Sequence, residues 1–191
     1  DYIMSYIYSC CRNRIRITDR EWQTKLVNFA LQASSARGYL ENYGHTIVSL
    51  SQYLAGSEHD VEELEAEYRS GASAVPEHIA LNLDIERPTW QSEISKAFES
   101  KNIVVVRAAS GQGKSTVCYR WLMDRNAIFD IYLLNGVSST NAPGIVAALR
   151  GLAAQQSNFY AYVEGGADAG WVDICTEINR LNCPNLKLLV S

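Results

Sequence analysis

Eight residues, Ala108 to Ser115 (AASGQGKS), bring glycine, lysine and a hydroxyl together at a spacing suited to gripping a phosphate chain. They fit the looser Walker A pattern, in which Ala takes the first position. The β-branched run "NIVVVR" precedes them and a helix-forming run follows, so the loop joins a strand to a helix. In that setting successive backbone N–H groups turn inward as an anion nest, and the helix N-terminus adds its partial positive charge. Gly111 and Gly113 let the chain curl without a Cβ in the way. Ala109, Ser110, Gly111, Gln112 and Gly113 are therefore expected to wrap the phosphates of a nucleotide. Lys114 would bridge the β- and γ-phosphates, the Ser115 hydroxyl would reach Mg²⁺, and Thr116 would donate to the α-phosphate. Ala108 is expected in an extended conformation that a side chain tolerates.

Hydrolysis needs one more group, a carboxylate at the tip of a neighbouring strand that holds the Mg²⁺ shell or polarises the attacking water. The run "NFYAYVEGGAD" ends in Glu164, which is taken as that acid and, with Ser115, as a metal ligand; Lys114 and Glu164 form the expected catalytic pair. Asp168 reads equally as a second acid or as surface loop, and Asp130 falls inside its own strand. The histidines His45, His59 and His78 are scattered. The cysteines Cys10, Cys11, Cys118, Cys175 and Cys183 contain no C-x-x-C pair, which suggests reduced thiols of a cytoplasmic protein.

The elements that must position these groups follow from periodicity. From residue 87 onward helical and apolar runs alternate, with helices expected near 89–100, 114–125, 142–156 and 171–182. Strands are expected at 102–107, 128–134, 158–164 and 186–190. These strands are short and lack polar alternation, as in a parallel sheet buried on both faces. The fold class expected is α/β: a parallel-sheet, three-layer α/β/α P-loop NTPase core preceded by an α-helical segment.

Residues 1–17 show period two, with Arg12, Arg14 and Arg16 on one side, and read as the strand-like tail of an upstream domain. Thr18 and Glu21 form a capping box that opens a helical connector over 18–70. Trp22, Leu26, Phe29, Ala33, Ala36, Leu40, Tyr43, Ile47, Leu50 and Leu54 make a heptad seam, suited to packing on the next helix or to oligomerisation, with a break of the helix expected near Gly44. That next helix is expected at 58–69, ended by Gly71. Residues 71–86, with Gly, Ser and Pro76, read as a linker into a core at 87–191.

Nearly half the residues are hydrophobic (47%) and the formal net charge is -4, the profile of a packed chain with no long-range attraction for nucleic acid. No apolar run is long enough to span a membrane. The chain is expected to be an excerpt of a longer protein, truncated at the C-terminal end of its core.

The order "LDIERPTWQSEISKAF", "IVVVRAASGQGKST", an apolar strand, "FYAYVEGGADAGWVDICTEINRL" and "NLKLLVS" resembles the nucleotide-binding core of the STAND NTPases, which include NACHT and NB-ARC proteins and bacterial antiphage sensors. The resemblance covers about residues 84 to 191. It implies that Arg87, in Ile85-Glu86-Arg87, helps hold the nucleotide, although Glu86 stands where Gly is usual. It further implies that Trp171 packs the helix after the acid and that Ser191 is a polar sensor at the tip of the last strand. By the same resemblance ATP with Mg²⁺ would act as a switch with slow hydrolysis, driving homo-oligomerisation through regions outside this chain and activating an upstream effector. Two other readings stand beside it. A small-molecule or nucleotide kinase needs lid arginines between the second and third strands, where residues 135–151 offer Arg150. A helical oligomerisation module could carry a vestigial nucleotide site.

Overall fold

The computed structural model describes residues 43–191 apart from 58, 59, 157, 167, 168 and 182. The segment 1–17, the capping box and the heptad positions before Tyr43 lie outside the described residues.

Five strands form one sheet, β1 (Ile47–Ser49), β2 (Ile103–Val105), β3 (Asp130–Leu134), β4 (Phe159–Val163) and β5 (Leu186–Val190), in the order β1-β3-β4-β5-β2. Four of them run parallel, and β1 pairs antiparallel with β3 at the far edge. Seven helices accompany the sheet among the described residues: α1 (Leu50–Gly56), α2 (Val61–Arg69), α3 (Pro76–Ala80), α4 (Pro88–Ser100), α5 (Lys114–Met123), α6 (Ala142–Gln155) and α7 (Gly170–Leu181). The chain is thus an α/β protein with a mostly parallel sheet.

Side chains alternate across the sheet, and the two faces collect two separate cores. Phe159, Ala161 and Val163 of β4, with Leu186, Leu188 and Val190 of β5, pack under α6 and α7. Tyr160 and Tyr162, with Ile131, Leu133 and Leu189, face the other way into a core built from α1, α3, α4 and α5. Every residue of β4 is buried. This two-sided burial explains why the strands read as continuous apolar runs. Crossover α5 lies on one face while α6 and α7 lie on the other: the chain passes from β2 at one edge across to β3 and returns through β4 to β5, reversing direction across the sheet.

Trp121 anchors the second core. It is 1% exposed, stacks on Phe98 with ring centroids 5.1 Å apart, and meets Tyr160 edge-on. Its indole N–H donates to Ser95 Oγ at 2.9 Å, and Arg125 lies over its ring. Trp121→Ala is expected to lower the unfolding free energy by about 3–5 kcal/mol, because the void spans α4, α5 and β4 and cannot close by local collapse. Urea denaturation followed by circular dichroism checks the value.

Two stretches differ from the periodic reading. The seam through Ile47 and Leu50 is not one helix: Thr46, Ile47 and Val48 leave a turn, closed by Thr46 N–H on the Tyr43 carbonyl, and extend along β3 with Ile47 opposite Leu134. β-Branched residues beside Gly44 favour the ladder, and α1 begins only at Leu50. The stretch expected as linker holds α3, which Pro76 opens at its first position. Its Ile79 enters the second core, and His78 is buried with its ring edge-on to Tyr68. The α2 helix runs from Val61, with Asp60 accepting from the Glu62 N–H at 2.9 Å, to Arg69, and Gly71, whose φ is +86°, turns the chain away two residues later.

Candidate functional site

All four parallel strands end on the same side of the sheet, where the segments that leave β2 and β4 line, with residues from the stretch 68–87, a cleft of about 620 Å³. The glycine loop crosses from β2 to α5 along this edge. Gly111 and Gly113 both adopt φ +76°, and Gly113 is the residue that caps α5. A side chain at Gly113 would meet two obstacles, the left-handed backbone and the Arg87 guanidinium, whose nearest nitrogen lies 3.4 Å from where a Cβ would stand. Ala108 is not in the left-handed region, so its side chain carries no backbone strain.

Lys114 is the first residue of α5 and folds back over the loop, its Nζ donating to the Ala109 carbonyl at 3.3 Å. The Gln112 N–H donates to the same carbonyl, which closes the loop on itself. The first N–H groups of a helix have no intrahelical acceptor, and here they lie beside an ammonium group at the mouth of a cleft. An anion is the natural guest for such an arrangement.

Arg87 comes from the segment before α4. Its Nη1 donates to the Gln112 carbonyl at 2.6 Å, and its guanidinium lies 5.3 Å from the Trp90 ring centroid. Two of the five guanidinium N–H donors at most are used by one carbonyl, which leaves charge directed toward the cleft that Arg87 lines.

On the opposite wall, Glu164 follows β4 directly and is exposed to the cleft. Strand β5 lies between β2 and β4, so its last neighbour, Ser191, sits beside Glu164; the Ser191 carbonyl accepts from the Gly165 N–H at 2.8 Å. Tyr162 ties the two tips from below. Its hydroxyl lies 2.8 Å from Ser191 Oγ and donates to Glu164 Oε1 at 3.4 Å. Either hydroxyl of the Tyr162–Ser191 pair can donate, and with the Tyr162 proton on Glu164 the Ser191 hydroxyl supplies the other bond. Burial raises the Tyr162 phenol well above its ordinary range, with Tyr119, Cys118 and Glu164 adding to the effect, so the tyrosine stays a donor. Cys118, one turn along α5 from Lys114, is pushed up to about 12 by burial and then by the negative field of Glu164, which Lys114 partly offsets. A fully buried neutral thiol of this kind is inert.

Of the residues singled out in the sequence, Arg87, Ser110, Gly111, Gly113, Lys114, Ser115, Thr116 and Glu164 line the one cleft. Ala109 and Gln112 are not on its wall; they contribute the carbonyls that hold Lys114 and Arg87. Asp168 lies outside the described residues. Asp130 lies within β3 as its first residue, at the end of the strand opposite the loop. Trp171 stands in the first turn of α7, packed on the first core. Arg150 is exposed on α6, away from the cleft. Among the described residues no three His, Cys, Asp or Glu side chains gather into a metal cluster. Ser115 with a single carboxylate suits Mg²⁺, which keeps several waters and takes further oxygens from phosphate.

No family model, curated protein or solved structure matches the chain. The site is therefore read from its own geometry.

That geometry also contains residues that periodicity missed. Tyr68 at the end of α2, the small residues Ala72, Ser73 and Ala74, and Ile85, which is 80% exposed, also line the cleft. The run Gly71-Ala72-Ser73-Ala74 looks like a linker in sequence. Only the packing of α3 on α5 brings it over the loop. Among the described residues no helix is long and apolar enough to cross a membrane.

Proposed function

We propose that this chain is the nucleotide-binding part of a STAND-type P-loop NTPase, taking ATP with Mg²⁺. The observation that carries the reading is the strand–loop–helix unit. Two left-handed glycines, a lysine at the first helical position and a carboxylate on the facing strand tip all open on one cleft. In this reading the loop N–H groups and Lys114 hold the β- and γ-phosphates, and Arg87 adds a second cation. Ser115 and Glu164 hold Mg²⁺ with its waters, and Thr116 reaches the α-phosphate. When bound, Mg²⁺ would neutralise part of the phosphate charge. Glu164, steadied by Tyr162, would then accept a proton from the attacking water.

The resemblance in order of parts supports a switch rather than a metabolic enzyme: ATP would stabilise one arrangement of the longer protein, permit homo-oligomerisation, and activate a linked effector in antiviral defence. Moving such an equilibrium from about 1:99 to 99:1 requires ATP to prefer one state by about 10⁴-fold. The kinase reading fares less well, because the arginine of the expected lid, Arg150, is not among the residues of the cleft.

Calorimetric titration of the chain with Mg-ATP and Mg-GTP, followed by assays of phosphate release and of phosphoryl transfer to small acceptors, tests the proposal. Saturable Mg-ATP binding, slow phosphate release and no transfer are expected. Absence of binding at millimolar Mg-ATP would remove the reading, and transfer to an acceptor would favour a kinase.

A further inference from the structure

The short segment between α3 and α4 is fastened at both ends to the glycine loop and its helix. At one end Arg87 donates to the Gln112 carbonyl. At the other, Arg120 in the last turn of α5 grips Asp84 with two guanidinium nitrogens, Nε to Oδ2 at 3.0 Å and Nη2 to Oδ1. The same guanidinium donates twice to Asn82 Oδ1, at 3.1 and 3.2 Å, and once to the Ile79 carbonyl at 3.3 Å. The Asp84 side chain is 1% exposed and that of Arg120 12%. This is a bidentate, charge-assisted pair largely withdrawn from water. Asn82 has φ +55°, a conformation that no other non-glycine residue shares among the described residues. The turn is thus held in an uncommon geometry so that its side chain and Asp84 both face Arg120.

Only Ile85 and Glu86 separate Asp84 from Arg87, so the place where Asp84 is held on Arg120 limits where Arg87 stands against the loop.

We infer that Arg120 and Asp84 are positioning residues for nucleotide binding: the clasp they form at the far end of α5 holds the strap 82–87 so that Arg87 stays poised over the glycine loop. Neither residue is on the wall of the cleft. The inference rests on the proposal that the cleft binds Mg-ATP.

The test compares Asp84→Asn, Arg120→Lys, Arg87→Ala and the double variant Asp84→Asn/Arg87→Ala in the whole chain, by titration with Mg-ATP and by hydrogen exchange without nucleotide. Asp84→Asn should weaken Mg-ATP by about 5–10-fold, as should Arg87→Ala, and the double variant should lose less than about 2-fold beyond either, since the two act as one unit. Arg120→Lys keeps the charge without the fork and should fall between Asp84→Asn and the native chain. Amides of residues 82–87 should exchange faster in Asp84→Asn. A merely structural ion pair would lower the melting temperature yet leave affinity native-like, or would add its full loss to that of Arg87→Ala; either result overturns the inference. If Asp84→Asn does not fold, Arg120→Lys combined with Arg87→Ala decides by the same comparison. A native chain that binds no Mg-ATP overturns the nucleotide reading and this inference together. Native binding with native-like affinity in the Asp84 and Arg120 variants overturns the clasp alone.

Discussion

Lys114→Ala is expected to weaken Mg-ATP binding by at least about 100-fold while leaving the far-ultraviolet circular dichroism and melting temperature near those of the native chain. The size follows from what the ammonium would do. In the protein alone it donates to the Ala109 carbonyl across 3.3 Å, at the mouth of the cleft. A phosphate chain offers it ionised acceptors instead, and a hydrogen bond between two charged groups contributes about 1.5–3 kcal/mol. Two such bonds, to the β- and γ-oxygens, give about 3–6 kcal/mol, and every 1.4 kcal/mol is tenfold in affinity. The fold should tolerate the change because Ala is the best helix former and Lys114 sits at the first helical position, outside both apolar cores. Retained affinity in this variant would sink the proposed site at its centre, since the loop would then hold its ligand without the ammonium group that lies over it.

The loop was readable in sequence because its chemistry is local. Gly113, Lys114 and Ser115 are adjacent, and a β-branched run before a helical run already tells the backbone where to turn. The strands were legible for a related reason: "FYAYV" is buried on both faces, so its apolar continuity survives in one dimension. What escaped were contacts between distant segments. Ile47 looks helical within its heptad, and only the ladder with Leu134 makes it a strand. Pro76 and the small residues after Gly71 look like a linker, yet Ile79 packs in the core and places Ala72 to Ala74 over the loop. Arg120 and Asp84 are two ordinary charges in the sequence. Their pairing depends on a turn at Asn82 that no spacing rule announces. Tyr162 was read as part of an apolar run, whereas its hydroxyl joins Ser191 to Glu164 across two strand tips.

Glu164→Gln is expected to separate binding from turnover: phosphate release under single-turnover conditions should fall by about 10²–10³-fold, with Mg-ATP affinity within about threefold of native. The substitution keeps the shape of the side chain and an oxygen that can still accept from the Tyr162 hydroxyl, so the strand tips and Ser191 should not move. What is lost is the ability to take a proton, and removing a positioned general base typically costs 10²–10⁴-fold. Affinity should survive because most of the charge that meets the phosphates comes from Lys114, Arg87 and the helix N-terminus, and a Gln oxygen can still meet a water of the Mg²⁺ shell. Comparison with Tyr162→Phe sharpens the assignment. That variant leaves the carboxylate charged but untethered, and a smaller loss in phosphate release, about 3–10-fold, is expected from a misplaced base. If Glu164→Gln releases phosphate at the native rate, Glu164 is not the acid of this site, and Asp168, four residues on, becomes the group to replace. If it loses affinity as well as rate, its main work is holding Mg²⁺ rather than moving a proton. The two roles then divide cleanly when the titration is repeated without the metal, where the native chain and the variant should bind ATP alike.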